Sequence, residues 1–219
     1  MIIAIDGPAG SGKSTVSKMI AEEIGFTYLD TGAMYRLFAY KLIKENIDVN
    51  DMEKELDALK SLDIDMKDGR FYLDKEDVSD KLRSREVSGN ASKVAGVKEV
   101  REKMVEIQRE FSRSKNVILD GRDIGTVVFP NADLKIYLGA ASEVRAKRRY
   151  EELKEKDSSV NYDEILKEIE ERDYHDSSRK ESPLRIADDA IVIDTTDSTI
   201  DEVKENIKNL ITAKGENKL

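Results

Sequence analysis

The first residues whose types and spacing could do chemistry are 7–15, where the chain reads GPAGSGKST. The pattern G-x-x-x-x-G-K-S is typical of a loop in which glycines let consecutive backbone N–H groups converge on a phosphate. In such a loop the lysine reaches the β and γ phosphates of a nucleotide, and the serine hydroxyl approaches Mg²⁺. We therefore predict a nucleoside triphosphate site that is formed by Gly7, Pro8, Ala9, Gly10, Ser11, Gly12, Lys13, Ser14 and Thr15.

The elements around this loop are those that its chemistry requires. Residues 2–5 form an apolar run that predicts a strand, and apolar residues at helical spacing follow the loop. The N-terminus of that helix adds partial positive charge for an anion. An ordinary glycine-rich turn explains less, because the loop, the Lys-Ser pair and both flanking elements are all present.

A second polar cluster, DTGAMYR, occupies residues 30–36. Thr31 would lie at a helix N-terminus with Tyr35 and Arg36 one turn on, an arrangement that suits a second phosphate. The spacing alone is equally compatible with Thr31 as a simple cap and Arg36 as a surface charge.

A third cluster, DGRDIGTVVFP, covers residues 120–130. Asp120 ends an apolar run, where a carboxylate can hold Mg²⁺ through water, and Arg122 would then lie beside the phosphates. The alternative is a plain exit from strand to turn that uses Asp and Gly for their turn geometry.

A fourth region is rich in arginine. Arg145, Arg148 and Arg149 share a helical face, and ERDYHDSSR follows at 171–179. The alternative is a solvated helix in which these cations pair with glutamates such as Glu152. The single histidine, His175, is expected to be an exposed loop residue, since phosphoryl transfer to an anionic oxygen needs no strong base.

Composition limits the class of protein. The 219 residues are 39% hydrophobic and 38% charged, which indicates a folded globular chain. There are no cysteines, and the formal net charge is -9. We therefore expect a cytoplasmic enzyme without disulfides or thiolate metal sites, with no membrane span and no bulk attraction for nucleic acid. No apolar face is left over in the pattern, so we expect a monomer.

Apolar runs at 2–5, 27–29, 117–119, 134–138 and 190–193 alternate with helical patterns. This alternation predicts an α/β protein of the P-loop NTPase type, with a five-stranded parallel sheet between two layers of helices. Asp6, Asp30, Asp120 and Asp194 each follow such a run, which places carboxylates at the rim where ligands bind.

Two segments interrupt the alternation. Short alternating runs on either side of Asp68-Gly69 predict a hairpin, and hence a small insertion at about 59–94. A highly charged helical region at about 146–185, broken at Asp157 and again at Ser177, predicts a helical lid. The core would then consist of 1–58, 95–145 and 186–212 in one kinase chain.

Taken together, these clusters resemble the bacterial cytidylate kinases, which are nucleoside monophosphate kinases. The resemblance runs essentially end to end, through IDGPAGSGKST, LDTGAMYR, NASKVA with the following Val-Arg at 100–101, LDGRDIGTVVFP, and ERDYHDSSR followed by SPL. The loop alone occurs in many enzymes, whereas DTGAMYR and DGRDIGTVVFP in this order are far more specific.

The resemblance implies transfer of the γ-phosphoryl group of ATP to CMP or dCMP, with Mg²⁺ held at Ser14 and, through water, at Asp120. It also makes 59–94 the nucleoside monophosphate-binding insertion. Positions that match the family's acceptor-phosphate residues are Thr31, Tyr35, Arg36, Arg122 and Arg179. Those for cytosine are Ser92, Arg101 and Asp123, and those for the sugar are Arg172 and Asp176. Lys13, Arg122, Arg148, Arg149 and Arg172 are the candidates for stabilising the transferred group. Ser14 and Thr31 stand where the family also has Gly and Ser, which bears on the Mg²⁺ contacts at the first position.

The chemistry of cytosine agrees with this assignment. Cytosine presents an amino donor at N4 beside acceptors at N3 and O2, so its reader needs a carboxylate next to Arg or Ser donors. Uracil would turn a carbonyl toward the carboxylate of Asp123, and sites built on such polar matching discriminate by roughly 10⁴-fold.

Other classes fit less well. A kinase for UMP, AMP or shikimate would share the loop and sheet but leave the base-reading residues and the hairpin unexplained. A regulatory GTPase would need Asn-Lys-x-Asp, whereas the only Asn-Lys lies at 217–218. A nucleic-acid-dependent ATPase would favour a basic face.

Overall fold

The computed structural model describes residues 1–67, 69–155 and 158–216. The chain forms two compact units, one from residues 1–28 and 114–219 and the other from residues 29–113. The helices are α1 Lys13–Ile24, α2 Thr31–Lys44, α3 Met52–Lys60, α4 Arg85–Val94, α5 Lys98–Phe111, α6 Ser142–Lys154, α7 Tyr162–Ser178 and α8 Ile200–Glu216. The strands are β1 Ile2–Asp6, β2 Thr27–Asp30, β3 Ile64–Lys67, β4 Arg70–Leu73, β5 Glu76–Asp77, β6 Val117–Gly121, β7 Leu134–Gly139 and β8 Ile191–Asp194.

The predicted five-stranded parallel sheet is confirmed, with strand order β2-β6-β1-β7-β8. β1 lies at its centre and pairs in parallel with β6 and β7, so that Ile5 is opposite both Asp120 and Ile136. Parallel strands covered on both faces are apolar throughout, and Ile3, Ala4 and Ile5 have no exposed surface. Because β1 and β6 are parallel, their carboxyl ends lie side by side, and the buried Asp6 and Asp120 are located there.

Helices pack against this sheet within the first unit. The core combines β-strand residues with Val16 and Ile20 of α1 and with Val203 and Ile207 of α8. Burial of such aliphatic side chains contributes roughly 1.5–3 kcal/mol each, and this packing fixes the first turns of α1 against the sheet.

The second unit contains the predicted hairpin. β3 and β4 are antiparallel, with Met66 opposite Phe71, and β5 adds a third strand that the sequence pattern did not predict. The predicted turn residue Asp68 lies outside the described residues. Leu73, Val78 and Leu82 pack against Ala33 and Leu37 of α2, which anchors the small sheet to that helix.

The predicted charged helical region contains α6 and α7, which pack on each other through Ala146, Ile165 and Ile169. Asp157, at the first predicted break, lies outside the described residues. The second predicted break coincides with the end of α7, whose last residues are Ser177 and Ser178. None of the described helices is both long and apolar enough to cross a membrane.

Candidate active site

The loop between β1 and α1 has the backbone geometry that a phosphate cradle needs. Gly12 caps α1 with φ 87°, a left-handed conformation that only glycine adopts without strain. At Gly7 a Cβ would collide with the carbonyl oxygen of Leu138, so no side chain fits there. The Lys13 ammonium is buried and donates to the Pro8 carbonyl oxygen at 2.9 Å. Lys13 is thus folded over its own loop, where an anion would lie.

Three oxygen-bearing side chains meet beside this loop. The Ser14 hydroxyl donates to Asp120 Oδ2 at 2.6 Å, and the Tyr28 hydroxyl donates to Asp120 Oδ1 at 2.7 Å. Asp120 is buried at the end of β6, which explains why its carboxylate is hydrogen-bonded on both oxygens. The Tyr28 contact was missed by the sequence analysis, because Tyr28 lies inside an apolar run and carries no local signal.

The Ser14 and Asp120 pair fits Mg²⁺, which prefers oxygen ligands and is often held by one or two protein groups together with substrate phosphates. Among the described residues there is no group of three or more Asp, Glu, His or Cys side chains that could hold a metal by itself. An ion here would therefore depend on the nucleotide for much of its coordination.

A buried ion cluster brings together three of the predicted residues. Arg122 Nε donates to Asp176 Oδ2 at 2.7 Å, and Arg179 donates to Asp176 Oδ1. Asp176 is 1% exposed. Burial alone would raise the pKa of Asp176, but the positive charges of Arg122 and Arg179 outweigh it and hold that pKa below its ordinary value. Two guanidinium groups thus share one carboxylate, which suits the binding of an additional anion.

Asp123 follows Arg122 and is buried at the start of a five-residue π turn, Ile124–Val128. Its backbone carbonyl accepts from the N–H groups of Val127 and Val128 at 2.8 and 3.1 Å. A buried carboxylate at this place is costly unless it serves a ligand or a partner. The side chain of Asp6, which precedes the phosphate loop, contacts the same turn.

The basic face of α6 divides among three different environments. Arg145 is buried and donates to the backbone oxygens of Ala140 and Ala9 at 2.9 and 3.1 Å and to both oxygens of Asp173. Its role as a tie between the phosphate loop and α7 was missed, because Asp173 lies 28 residues further along the chain.

The other two arginines of that face diverge. Arg148 donates to the backbone oxygen of Thr195 at 2.6 Å, and the Thr195 hydroxyl donates to the Ser11 carbonyl oxygen at 3.2 Å. Arg149 pairs with Glu152 at 2.8 Å on the exposed side of α6. Of the alternative in which these arginines pair with glutamates such as Glu152, only the Arg149 pair is present, because Arg148 turns toward the end of β8. Arg172 is half-buried on α7, next to Asp173.

The second unit positions the remaining predicted residues. Asp30 caps α2 by accepting from Ala33 N at 2.9 Å, and it also accepts from Arg36 at 2.7 Å. The Arg101 guanidinium lies 5.6 Å from the centre of the Tyr35 ring and donates to the Ala95 carbonyl oxygen at 2.9 Å. Thr31 is buried in the first turn of α2, and Ser92 is half-buried on α4, which packs against α2.

Comparison with known proteins identifies the family of the chain. The family model described as "Cytidylate kinase" matches residues 3–213. The chain is 56% identical over 203 residues to the cytidylate kinase of Fusobacterium nucleatum, with 93% of each chain covered. It is 52% identical over 212 residues to that of Caldicellulosiruptor bescii, with 95% of this chain and 94% of the relative covered. A shikimate kinase structure from Acinetobacter baumannii, in complex with shikimate, is 18% identical with a TM-score of 0.46, covering 97% of this chain and 93% of that one. On the matched length and identity, the chain belongs to the cytidylate kinase family.

Proposed function

We propose that the protein transfers the γ-phosphoryl group of ATP to CMP or dCMP and forms ADP with CDP or dCDP. An oxygen of the acceptor phosphate forms a bond to the γ-phosphorus, while the bond from that phosphorus to the β–γ bridging oxygen breaks and ADP leaves. The observation that carries the proposal is the buried Arg122, Asp176 and Arg179 cluster, which lies in the same unit as the phosphate loop.

The phosphate loop is proposed to bind ATP through residues 7–15. The Lys13 ammonium, which is already buried, would exchange the Pro8 carbonyl oxygen for phosphate oxygens. Mg²⁺, when bound, would neutralise charge on the β and γ phosphates, and Ser14 and Asp120 would hold it, the latter through water. The hydrogen bond between their side chains supports this pairing.

For the acceptor phosphate we propose Arg122 and Arg179 and, on the family motif, Thr31, Tyr35 and Arg36. Each of the two arginines in the cluster is already oriented by Asp176, so little side-chain entropy is lost when an anion arrives. Asp176 and Arg172 are assigned to the sugar. Because the acceptor oxygen is anionic, none of these residues has to remove a proton.

The cytosine ring is proposed to be read by Asp123, Arg101 and Ser92. Asp123 would accept from the N4 amino group, and its burial supports a polar contact that water does not replace. Arg101 is ordered by the Tyr35 ring and the Ala95 carbonyl oxygen, which supports a fixed donor rather than a mobile surface charge. Arg148, Arg149 and Arg172 are the proposed candidates for the transferring group.

We assign the protein to the cytoplasm, where ATP and CMP are available, and expect a monomer. Exposed apolar side chains on and around the edge strand β8 are the feature that could favour a dimer instead. They are Ile186, Ile191, Val192 and Ile200. Sedimentation at micromolar protein concentration tests the monomer prediction, and a stable dimer would contradict it.

The function is tested by an ADP-release assay with ATP, Mg²⁺ and a panel of CMP, dCMP, UMP, AMP, GMP and shikimate. We expect efficient turnover with CMP and dCMP alone. The variant Asp123→Ala should lose most of the preference for CMP over UMP, whereas Asp197→Ala, at an exposed site, serves as the control. Turnover with shikimate or AMP, or full discrimination in Asp123→Ala, would contradict the proposal.

A further inference from the structure

Asp6 is a buried charged residue for which the proposed mechanism has no use. It is the last residue of the central strand β1, directly precedes Gly7 of the phosphate loop, and is only 5% exposed. Burying a carboxylate in the middle of a sheet costs several kcal/mol unless it is hydrogen-bonded or paired. Its two oxygens therefore need partners at this position.

Both oxygens of Asp6 are used on one segment. Oδ1 accepts from the N–H of Ile124 at 2.9 Å, and Oδ2 accepts from the N–H of Gly125 at 2.8 Å. Burial raises the pKa of Asp6 to about 6, while these two bonds and the nearby Lys13 lower it and Asp123 adds to the increase. The carboxylate is therefore ionised at neutral pH and lies within electrostatic reach of both Lys13 and Asp123.

The contacted segment is the π turn that begins just after Asp123. The turn packs closely against Lys135 and Asp6, because a Cβ at Gly125 would lie 3.1 Å from Lys135 Cδ and 3.4 Å from Asp6 Oδ2. The backbone that follows Asp123 is thereby fixed by two sets of hydrogen bonds. The Asp123 carbonyl accepts from Val127 and Val128, and Asp6 accepts from the next two residues.

We infer that Asp6 is a positioning residue for base selection, which fixes Asp123 relative to the phosphate loop. The inference rests on the proposed function. One side chain joins the strand end that opens the ATP loop to the segment that carries Arg122 and Asp123. A displacement of about 1 Å in such a group costs on the order of 10²-fold in rate, so a rigid tie is of direct value for specificity.

The test compares Asp6→Asn with Asp133→Asn. Asparagine keeps the shape of Asp6 but turns one acceptor into a donor that faces a backbone N–H. Asp133 is the matched control, since its Oδ2 accepts from the N–H of Ile2 at 2.6 Å, at the opposite end of β1. We measure kcat and KM for ATP, CMP and UMP, together with the thermal midpoint of each variant.

For Asp6→Asn we expect the ratio of kcat/KM for CMP over UMP to fall about tenfold, with KM for CMP rising more than KM for ATP. Asp133→Asn should lower the thermal midpoint and leave that ratio unchanged. In the background of Asp123→Ala, the change at Asp6 should have no further effect on the ratio, because its action passes through Asp123.

A second variant, Gly125→Ala, places a methyl group 3.1 Å from Lys135 Cδ and 3.4 Å from Asp6 Oδ2, so it should displace the same turn and lower the ratio in the same direction. The positioning role is overturned if a folded Asp6→Asn or Gly125→Ala variant keeps the wild-type ratio of kcat/KM for CMP over UMP. The two inferences fail separately: a wild-type enzyme that does not prefer CMP refutes the proposed function, whereas a preference that survives these variants refutes only the role of Asp6.

Discussion

Two charged clusters, each within its own unit, contain ion pairs of similar length, but one cluster is buried and the other is exposed to solvent. Around Asp176, Arg122 and Arg179 are buried or nearly so. On the hairpin sheet, Arg70 pairs with Asp77, and Glu76 pairs with Lys81 and Lys44, all partly or largely exposed. Hydrogen bonds from Lys81 and Lys44 lower the pKa of Glu76 to about 2, and those from Arg70 and Ser79 lower that of Asp77 to about 2.

The difference teaches that a depressed carboxylate pKa does not by itself mark a functional site. On the hairpin, water and salt screen the pairs, so their geometry contributes little to stability. In the buried cluster the same charges cannot be replaced by water, and two arginines share one carboxylate. The cluster around Asp176 is therefore the one to which we assign the acceptor phosphate.

The largest effect should follow from Lys13→Ala, which removes the cation of the phosphate loop. We expect kcat to fall by about 10³-fold, because the proposed role of that charge is to stabilise the transferring group. Circular dichroism should show an intact fold. Lys18→Ala, an exposed change on the same helix, is the control, and near-normal turnover of Lys13→Ala would contradict the role of the loop.

The next largest effect is expected from Asp176→Asn. Removing one partner of a buried ion cluster leaves uncompensated charge, so unfolding free energy should fall by about 3 kcal/mol in urea titrations. Added CMP should recover part of the loss, since its phosphate can neutralise Arg122 and Arg179. Asp189→Asn, at the exposed partner of Lys135, is the control. A loss that CMP does not reduce would mean that the cluster is structural only.

Glu55 sharpens the comparison, because it is buried like Asp176 but belongs to the hairpin's unit. Neither of its carboxylate oxygens has a hydrogen-bond partner among the described residues. Burial, with a contribution from Glu99, raises its pKa to about 7. Between about pH 4.5 and 7 the folded state keeps a proton that the unfolded state releases, so stability falls as pH rises through this window.

Glu55→Gln should therefore gain stability over the wild type as pH increases from 5 to 8, with little difference at pH 5. Urea unfolding at the two pH values measures this, and Glu53→Gln on the exposed side of the same helix provides the control. A difference that is equal at both pH values would show that Glu55 does not titrate in this window.

The smallest effect is expected on the hairpin itself. Arg70→Ala breaks the pairs with Asp77 and Asp80, and the melting temperature should change little because both pairs are exposed to solvent. Raising the salt concentration should reduce the change further. A large decrease in melting temperature, or one that salt does not reduce, would show that the exposed ion pairs contribute more to stability than this comparison states.

Much of the fold could be predicted because its signals are local. The five apolar runs, the helical spacing after Gly12 and the alternation around Gly69 are each readable within a short window, and all became elements of the expected type. The third strand Glu76–Asp77 escaped because two charged residues carry no strand pattern. The end of α7 at Ser177 and Ser178 was readable from the local sequence, since serine disfavours a helix interior.

The candidate site was predictable only as a set of motifs. The phosphate loop and the residues around Asp120 and Arg122 can be recognised from the spacing of their residues in the sequence. Which arginine serves which partner did not follow, since Arg145, Arg148 and Arg149 share one helical face yet contact Asp173, Thr195 and Glu152 respectively. Helical periodicity states which side chains lie together, but not what the rest of the chain brings to them.

By itself the sequence determined the phosphate loop, the parallel sheet and the family, because glycine positions, apolar periodicity and motif order are properties of adjacent residues. Only the tertiary structure decided that Asp6 holds the turn after Asp123 and that Asp176 lies between Arg122 and Arg179. These contacts join residues up to 119 positions apart, and only the packed sheet and helices bring them together.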